Sequence, residues 1–376
     1  MSKHSTQYNL INSFLNLVVA TFIPTRFVTY LLKVILTSML THHSAAQPAA
    51  VTNAILYFRN GEIDKAYKEI LPACENEKTK QLPKTWYYKG LITFEMAKRK
   101  SEPDTILLNT SHDAFVKTIQ LDKNKTEYFT LANQKLHELW VHSFNQAGEN
   151  FNKKKYEHAL ALFETAHQIK TNDTTTLLYA AYTAEALKDF DKLLQYCENL
   201  LHLRAGNEYV YLKLLYIYMH QKPQIHKVEK LVLQAVDAYP ENPYILQMLT
   251  EYYISQKEVP IGIEKLQQIS KTKNNNHEIL LALALLHDAN NDKAEAIKYY
   301  QEVLNKKTDY YLPAYNLSVT SFNLGKQYAQ NSNYEEAKKM YLLSLTYAQK
   351  ALNLSKVESE KETLLTLISE LEKLIK

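Results

Sequence analysis

Between His277 and Tyr310 the apolar positions recur every three or four residues, in two runs split by a polar break at Asn290-Asn291. In the first run Leu280, Leu283, Ala284 and His287 fall on one face of a 3.6-residue period. In the second, Ala296, Tyr300 and Val303 do the same. Asp292 precedes that run with Glu295 three residues on, the spacing of a capping box. The pattern predicts a pair of helices. A pair of this length cannot bury its apolar face alone, so it requires neighbours of the same kind.

Those neighbours are present. A small or compact residue marks the point where the two helices of each pair are expected to cross. It recurs at Ala66, Ala114, Ala159, Leu193, Val228, Gly262, Ala296 and Ala337. The interval from Leu193 to Val228 is 35 residues, and those from Ala159 to Leu193, Val228 to Gly262 and Gly262 to Ala296 are 34. The outer intervals are longer. One carries an extra loop near Lys98–Asn109, and two exceed 34 by 11 and 7 residues, which are whole numbers of helical turns. Their first helices, 129–152 and 311–330, are therefore expected to be extended without turning their apolar face away. The repeats divide as 47–80, 83–128, 129–173, 174–207, 208–242, 243–276, 277–310 and 311–351. Residues 352–376 form a last helix, with a capping box at Ser359 and Glu362 and a stripe of Leu364, Ile368, Leu371 and Ile375. A stack of repeats needs such a terminal helix with a polar outer face; the same stripe could serve as a dimer seam.

Leu324, Gly325, Tyr328, Ala337 and Tyr341, with Ala159, Phe163 and Ala166, Trp86 and Gly90, and Ala235 and Pro240, occupy the spacing of a known helical repeat. In this the chain resembles the tetratricopeptide repeat. The resemblance implies an all-α fold: a right-handed superhelical solenoid of about eight helix-turn-helix repeats with a C-terminal capping helix. It also implies a concave groove lined by the first helix of each repeat, which takes a protein or peptide partner. Carried over position by position, the groove candidates are Phe144, Phe151, Leu178, Tyr182, Lys213, Ile217, Tyr244, Glu251, Leu285 and Phe322. The family's carboxylate-gripping subtype needs an Asn where Ile217 follows Lys213, so a carboxylate ligand is not expected.

Composition agrees with a helical chain. Of 376 residues 46% are hydrophobic and 22% charged, with 6 Gly and 10 Pro, few helix breakers for this length. The 28 Tyr supply bulky contacts between helices. Residues 1–46 differ: they hold no acidic residue and only Lys3, Arg26 and Lys33 as full charges. Ser44 and Ala46 are spaced like a secretory cleavage site, which predicts a signal peptide and an exported, periplasmic or cell-envelope protein; an uncleaved anchor or a transit peptide are the alternatives. With an uncleaved anchor the solenoid would be a structural spacer of a membrane complex. Removal of 1–46 takes the net charge from +4 to +1, a poor balance for nucleic acid.

The chain carries no catalytic motif. No phosphate-cradling loop, G-x-S-x-G turn or C-x-x-C pair is present, and no cofactor is expected. His137 and His142 in HELWVH are five apart, one too many to face a single metal ion. Cys74 and Cys197 fall on second helices three repeats apart and are expected to be free thiols. Five N-x-S/T sequons, at Asn109, Asn124, Asn172, Asn316 and Asn353, are what an Asn-rich chain produces by chance. A non-enzymatic interaction scaffold is the reading that remains.

Overall fold

The computed structural model describes residues 49–272 and 276–376. Among them are 17 α-helices, one π-helical turn and no strand. They follow as pairs: α1 (49–59) with α2 (Ile63–Glu75), α3 (Pro83–Lys98) with α4 (Thr105–Leu121), and α5 (Glu127–Asn152) with α6 (Tyr156–Ile169). Next come α7 (Thr174–Ala186) with α8 (Phe190–His202), α9 (Glu208–Tyr216) with α10 (Ile225–Ala238), and α11 (Pro243–Ser255) with α12 (Val259–Thr272). Then follow α13 (His277–Ala289) with α14 (Lys293–Lys306), α15 (Tyr311–Gln330) with α16 (Tyr334–Leu354), and the single α17 (Glu358–Ile375). The chain divides into two compact units within α7, the first running through Thr176 and the second from Leu177. Residues 1–46, and with them the signal or anchor segment, lie outside the described residues. No helix among the described residues is long and apolar enough to cross a membrane.

Each pair closes on small or compact residues. In the first unit Ala66 and Ala159 are fully buried and Ala114 nearly so. In the second, Leu193, Val228, Ala296 and Ala337 are at most 2% exposed. Helices can approach this closely only where no bulk stands between them, and the largest fully buried side chains, Tyr253, Tyr300, Phe115 and Phe163, fill the spaces to either side. In the second unit the core around Tyr300 runs on through Ala314 and Leu317 of α15 and Ala348 and Ala351 of α16 to Leu364 of α17. Leu364 and Leu371 are fully buried within the chain, while Glu370, Lys373 and Lys376 face solvent. The stripe of α17 is thus consumed in closing the stack.

Two caps differ from the sequence reading. Asp292 is the N-cap of α14, but its side chain caps no amide; Oδ2 lies 3.0 Å from Nδ1 of the buried His287 instead. Glu358 opens α17, so Ser359 is already helical and no Ser359–Glu362 box forms. Ser355 takes the role: its hydroxyl accepts from Val357 N at 3.2 Å and donates to Glu360 Oε2 at 2.7 Å. A hydroxyl three residues before the helix reaches the amide of the N-cap residue Val357, which one inside the first turn cannot.

Six of the eight hairpin turns share one device. Gly61, Lys154, Lys188, Lys257, Asn291 and Ser332 all have φ between 59° and 77° and all stand two residues before the second helix of their pair. Only Gly61 is free of the penalty a Cβ incurs there. Lys188→Gly is expected to raise stability by about 0.5–1 kcal/mol, the relief of left-handed strain less the extra chain entropy of glycine. Urea unfolding of the variant beside the wild type checks this, and a loss of stability would contradict it.

Candidate functional site

The candidate groove residues sit on the first helices, and the structure sorts them. In the first unit Phe144 stacks on Trp140 (ring centroids 5.7 Å) and meets Phe163 edge-on at 5.6 Å. Phe151 lies against Tyr156 at 5.5 Å. Both are half-buried and largely committed to holding α5 on α6. The remaining eight candidates fall in the second unit.

There α7 and α9 carry a connected set. Tyr182 lies edge-on to Tyr209 at 4.5 Å and to Tyr179 at 5.9 Å, with half-buried Leu178 on the same helix. Tyr209 donates its hydroxyl to Glu185 Oε2 at 2.8 Å, and Lys213 pairs with the other oxygen of Glu185 while lying over the Tyr209 ring at 5.4 Å. Burial, and then the bond to Glu185, push the Tyr209 phenol far above its ordinary range, so it stays a donor. Glu185 and Lys213 neutralise each other, which leaves tyrosine rings as the dominant chemistry of this stretch.

Ile217 does not belong to the surface. It is fully buried, as is Val210. The cause is the π-helical turn Ile217–Gln221, which continues α9 with one more residue per turn. It falls within the one 35-residue interval of the chain, and it absorbs the extra residue at the end of the first helix. Positions counted back from Val228 are consequently one too high along α9. The outward positions are Tyr209, Leu212 and Tyr216, the last 38% exposed, and sequence reasoning missed all three. The 35-residue spacing was the available signal; it does not say on which side of α9 the extra residue lies.

Within the π turn, His220 Nε2 lies 3.4 Å from Oε1 of Glu251 on α11. Tyr244 is 65% exposed and Ile254, one turn beyond Glu251, is 42% exposed. Between α11, α13 and the start of α15 a cleft of about 290 Å³ opens, walled by Leu246, Leu281, Leu285 and Leu312. Glu278 also lines it, nearly buried, with Oε2 accepting from the Tyr310 hydroxyl at 3.1 Å and Oε1 lying 3.2 Å from His277 Nε2. Burial and the Glu278 charge raise the Tyr310 phenol to about 12. Phe322, the last candidate, is half-buried against Tyr341 at 6.1 Å, with Lys326 over its ring at 5.0 Å.

The two histidines of HELWVH are not brought together. His137 stacks on Trp140 and meets Lys170 Nζ at 3.1 Å, whereas His142 packs edge-on against Phe94, where burial and then the Lys98 charge lower its pKa. Among the described residues no group of His, Cys, Asp or Glu has the arrangement of a metal site. Cys74 and Cys197 are free, and burial pushes their thiols up to about 11 and about 12, away from reactive thiolates.

No family model matches the chain, and no curated protein does. Solved structures to which it is similar include the TPR domain of P58(IPK), at 14% identity over 88% of this chain and 98% of that one, with a TM-score of 0.29. Yeast Tom70 is 11% identical over 88% and 96%, with a TM-score of 0.40. The C-terminal part of a TPR repeat-containing protein from Cytophaga hutchinsonii is 15% identical over 61% and 95%, with a TM-score of 0.40.

Proposed function

We propose that this chain is a tetratricopeptide-type interaction scaffold, and that the first-helix face of residues 177–376 holds a segment of a partner protein. The observation that carries the reading is the run of exposed side chains on that face: Tyr179, Tyr216, Tyr244 and Ile254 are all 38–65% exposed, although this chain buries Tyr253 and Tyr300 completely. Apolar and aromatic groups left in solvent along a connected face mark an interaction surface. Tyrosine suits such a surface because it offers a large rigid ring and a hydroxyl with few rotatable bonds. The apolar cleft beside Leu285 provides a socket for one side chain of the segment, and Glu278 gives that socket an acceptor.

The test is affinity capture with the purified chain, followed by affinity measurement on whatever partner is recovered. Tyr216→Ala combined with Tyr244→Ala removes two exposed rings and should leave the melting temperature nearly unchanged. Truncating an interface tyrosine costs on the order of 1–2 kcal/mol, so the double variant is expected to bind at least about tenfold more weakly. Full affinity in that variant would remove the first-helix face from consideration.

A further inference from the structure

A second concavity lies apart from the first-helix face, on the second helices. It is a cleft of about 500 Å³ between α8 and α10, within the size range of small-molecule sites. Its floor is apolar: Leu231 and Tyr218 are at most 5% exposed, and Leu201 is half-buried. Its rim is basic. His202 from α8 and His226, Lys227 and Lys230 from α10 surround a single acidic group, Glu198. That carboxylate is already engaged, accepting from the Tyr218 hydroxyl and, at 3.0 Å, from Lys227 Nζ. The nearby Glu229 takes its bond from Tyr253, in the helix core. Lys227 therefore balances Glu198, and the rim is left with the charge of Lys230 and the N–H donors of two imidazoles. Tyr218 belongs to the π turn, so the residue insertion that re-registers α9 also supplies part of this floor.

We propose that this cleft binds a small organic anion with an apolar body, its head among Lys230, His226 and His202 and its body over Leu201, Tyr218 and Leu231. A cation beside a neutralised acid favours an anionic head, and the covered leucines favour a hydrocarbon body over a bare inorganic ion. An open cleft of this volume has room for a single free molecule, whereas a bilayer would need an extended face. The proposal does not rest on the partner-binding reading above.

Isothermal titration calorimetry of the whole chain with monomeric octyl phosphate tests it, with inorganic phosphate and n-octanol as the two halves of the probe. Octyl phosphate is expected to bind once per chain, more tightly than either half. Lys230→Glu combined with His226→Glu should weaken it by on the order of tenfold or more. Both positions are exposed, so an unchanged melting temperature shows that the fold is intact. Absence of binding, equal affinity for either half, or equal affinity in the variant would each overturn the proposal. So would cosedimentation with vesicles containing phosphatidic acid that the same variant abolishes, because the occupant would then be a membrane.

Discussion

Tyr300→Ala is expected to cost about 3–5 kcal/mol, the range for removing a large ring from a packed core. Tyr300 is fully buried on α14 and sits in the cluster that joins α13, α14, α15, α16 and α17. Leu280, Leu317 and Ala348 of the same cluster are held on three other helices, so no single shift can close the space the ring leaves. The phenol is also an unusual case. Its hydroxyl is buried without a hydrogen-bond partner, Asn316 approaching it from α15, and burial raises its pKa well above the ordinary tyrosine value. A buried hydroxyl with no partner is a liability of about 1–3 kcal/mol. Tyr300→Phe should therefore be neutral or stabilising, in sharp contrast to the alanine variant. Chemical denaturation of the three proteins decides it; a large loss in the phenylalanine variant would show that the hydroxyl is satisfied.

Gly262→Val should destabilise by about 2–3 kcal/mol, at the upper end of overpacking costs. Gly262 stands at the crossing of α11 and α12, and a Cβ built there would lie 2.8 Å from Tyr253 Cδ2 and Cγ and 2.9 Å from its Cβ. Those atoms are the root of a fully buried side chain and cannot swing aside. Even Gly262→Ala should lower stability, although alanine is by far the better helix former. Gly148 provides the control. It lies inside α5, and a Cβ there meets nothing within 4 Å. Gly148→Ala is expected to raise stability by about 0.5–1 kcal/mol through helix propensity alone. The same substitution with opposite signs at two glycines isolates packing from propensity; stabilisation at both would show that the Gly262 contact yields.

The eight crossing residues were readable because two helices can meet only over small or compact side chains, a demand that leaves a mark at fixed spacing. The candidate binding face was readable less far. Tyr244 and Glu251 are exposed where the repeat spacing placed them, yet Ile217 is in the core and Tyr216 at the surface. Both are large, both lie in an apolar run, and a helical period drawn through either fits that run equally well. The extra residue between Leu193 and Val228 was countable, but its position was not.

Periodicity and punctuation along the chain were enough to show a series of helical pairs with a closing helix after them. Helical periodicity, chain punctuation and the small residue at each crossing are local properties, and they recur often enough to be counted. It took the packed helices to show that the inserted residue of α9 is taken up in a π turn, that Ser355 rather than Ser359 meets the start of α17, and which tyrosines are covered and which are bare. Those choices separate local conformations of nearly equal energy, and the packing of neighbouring helices supplies the difference.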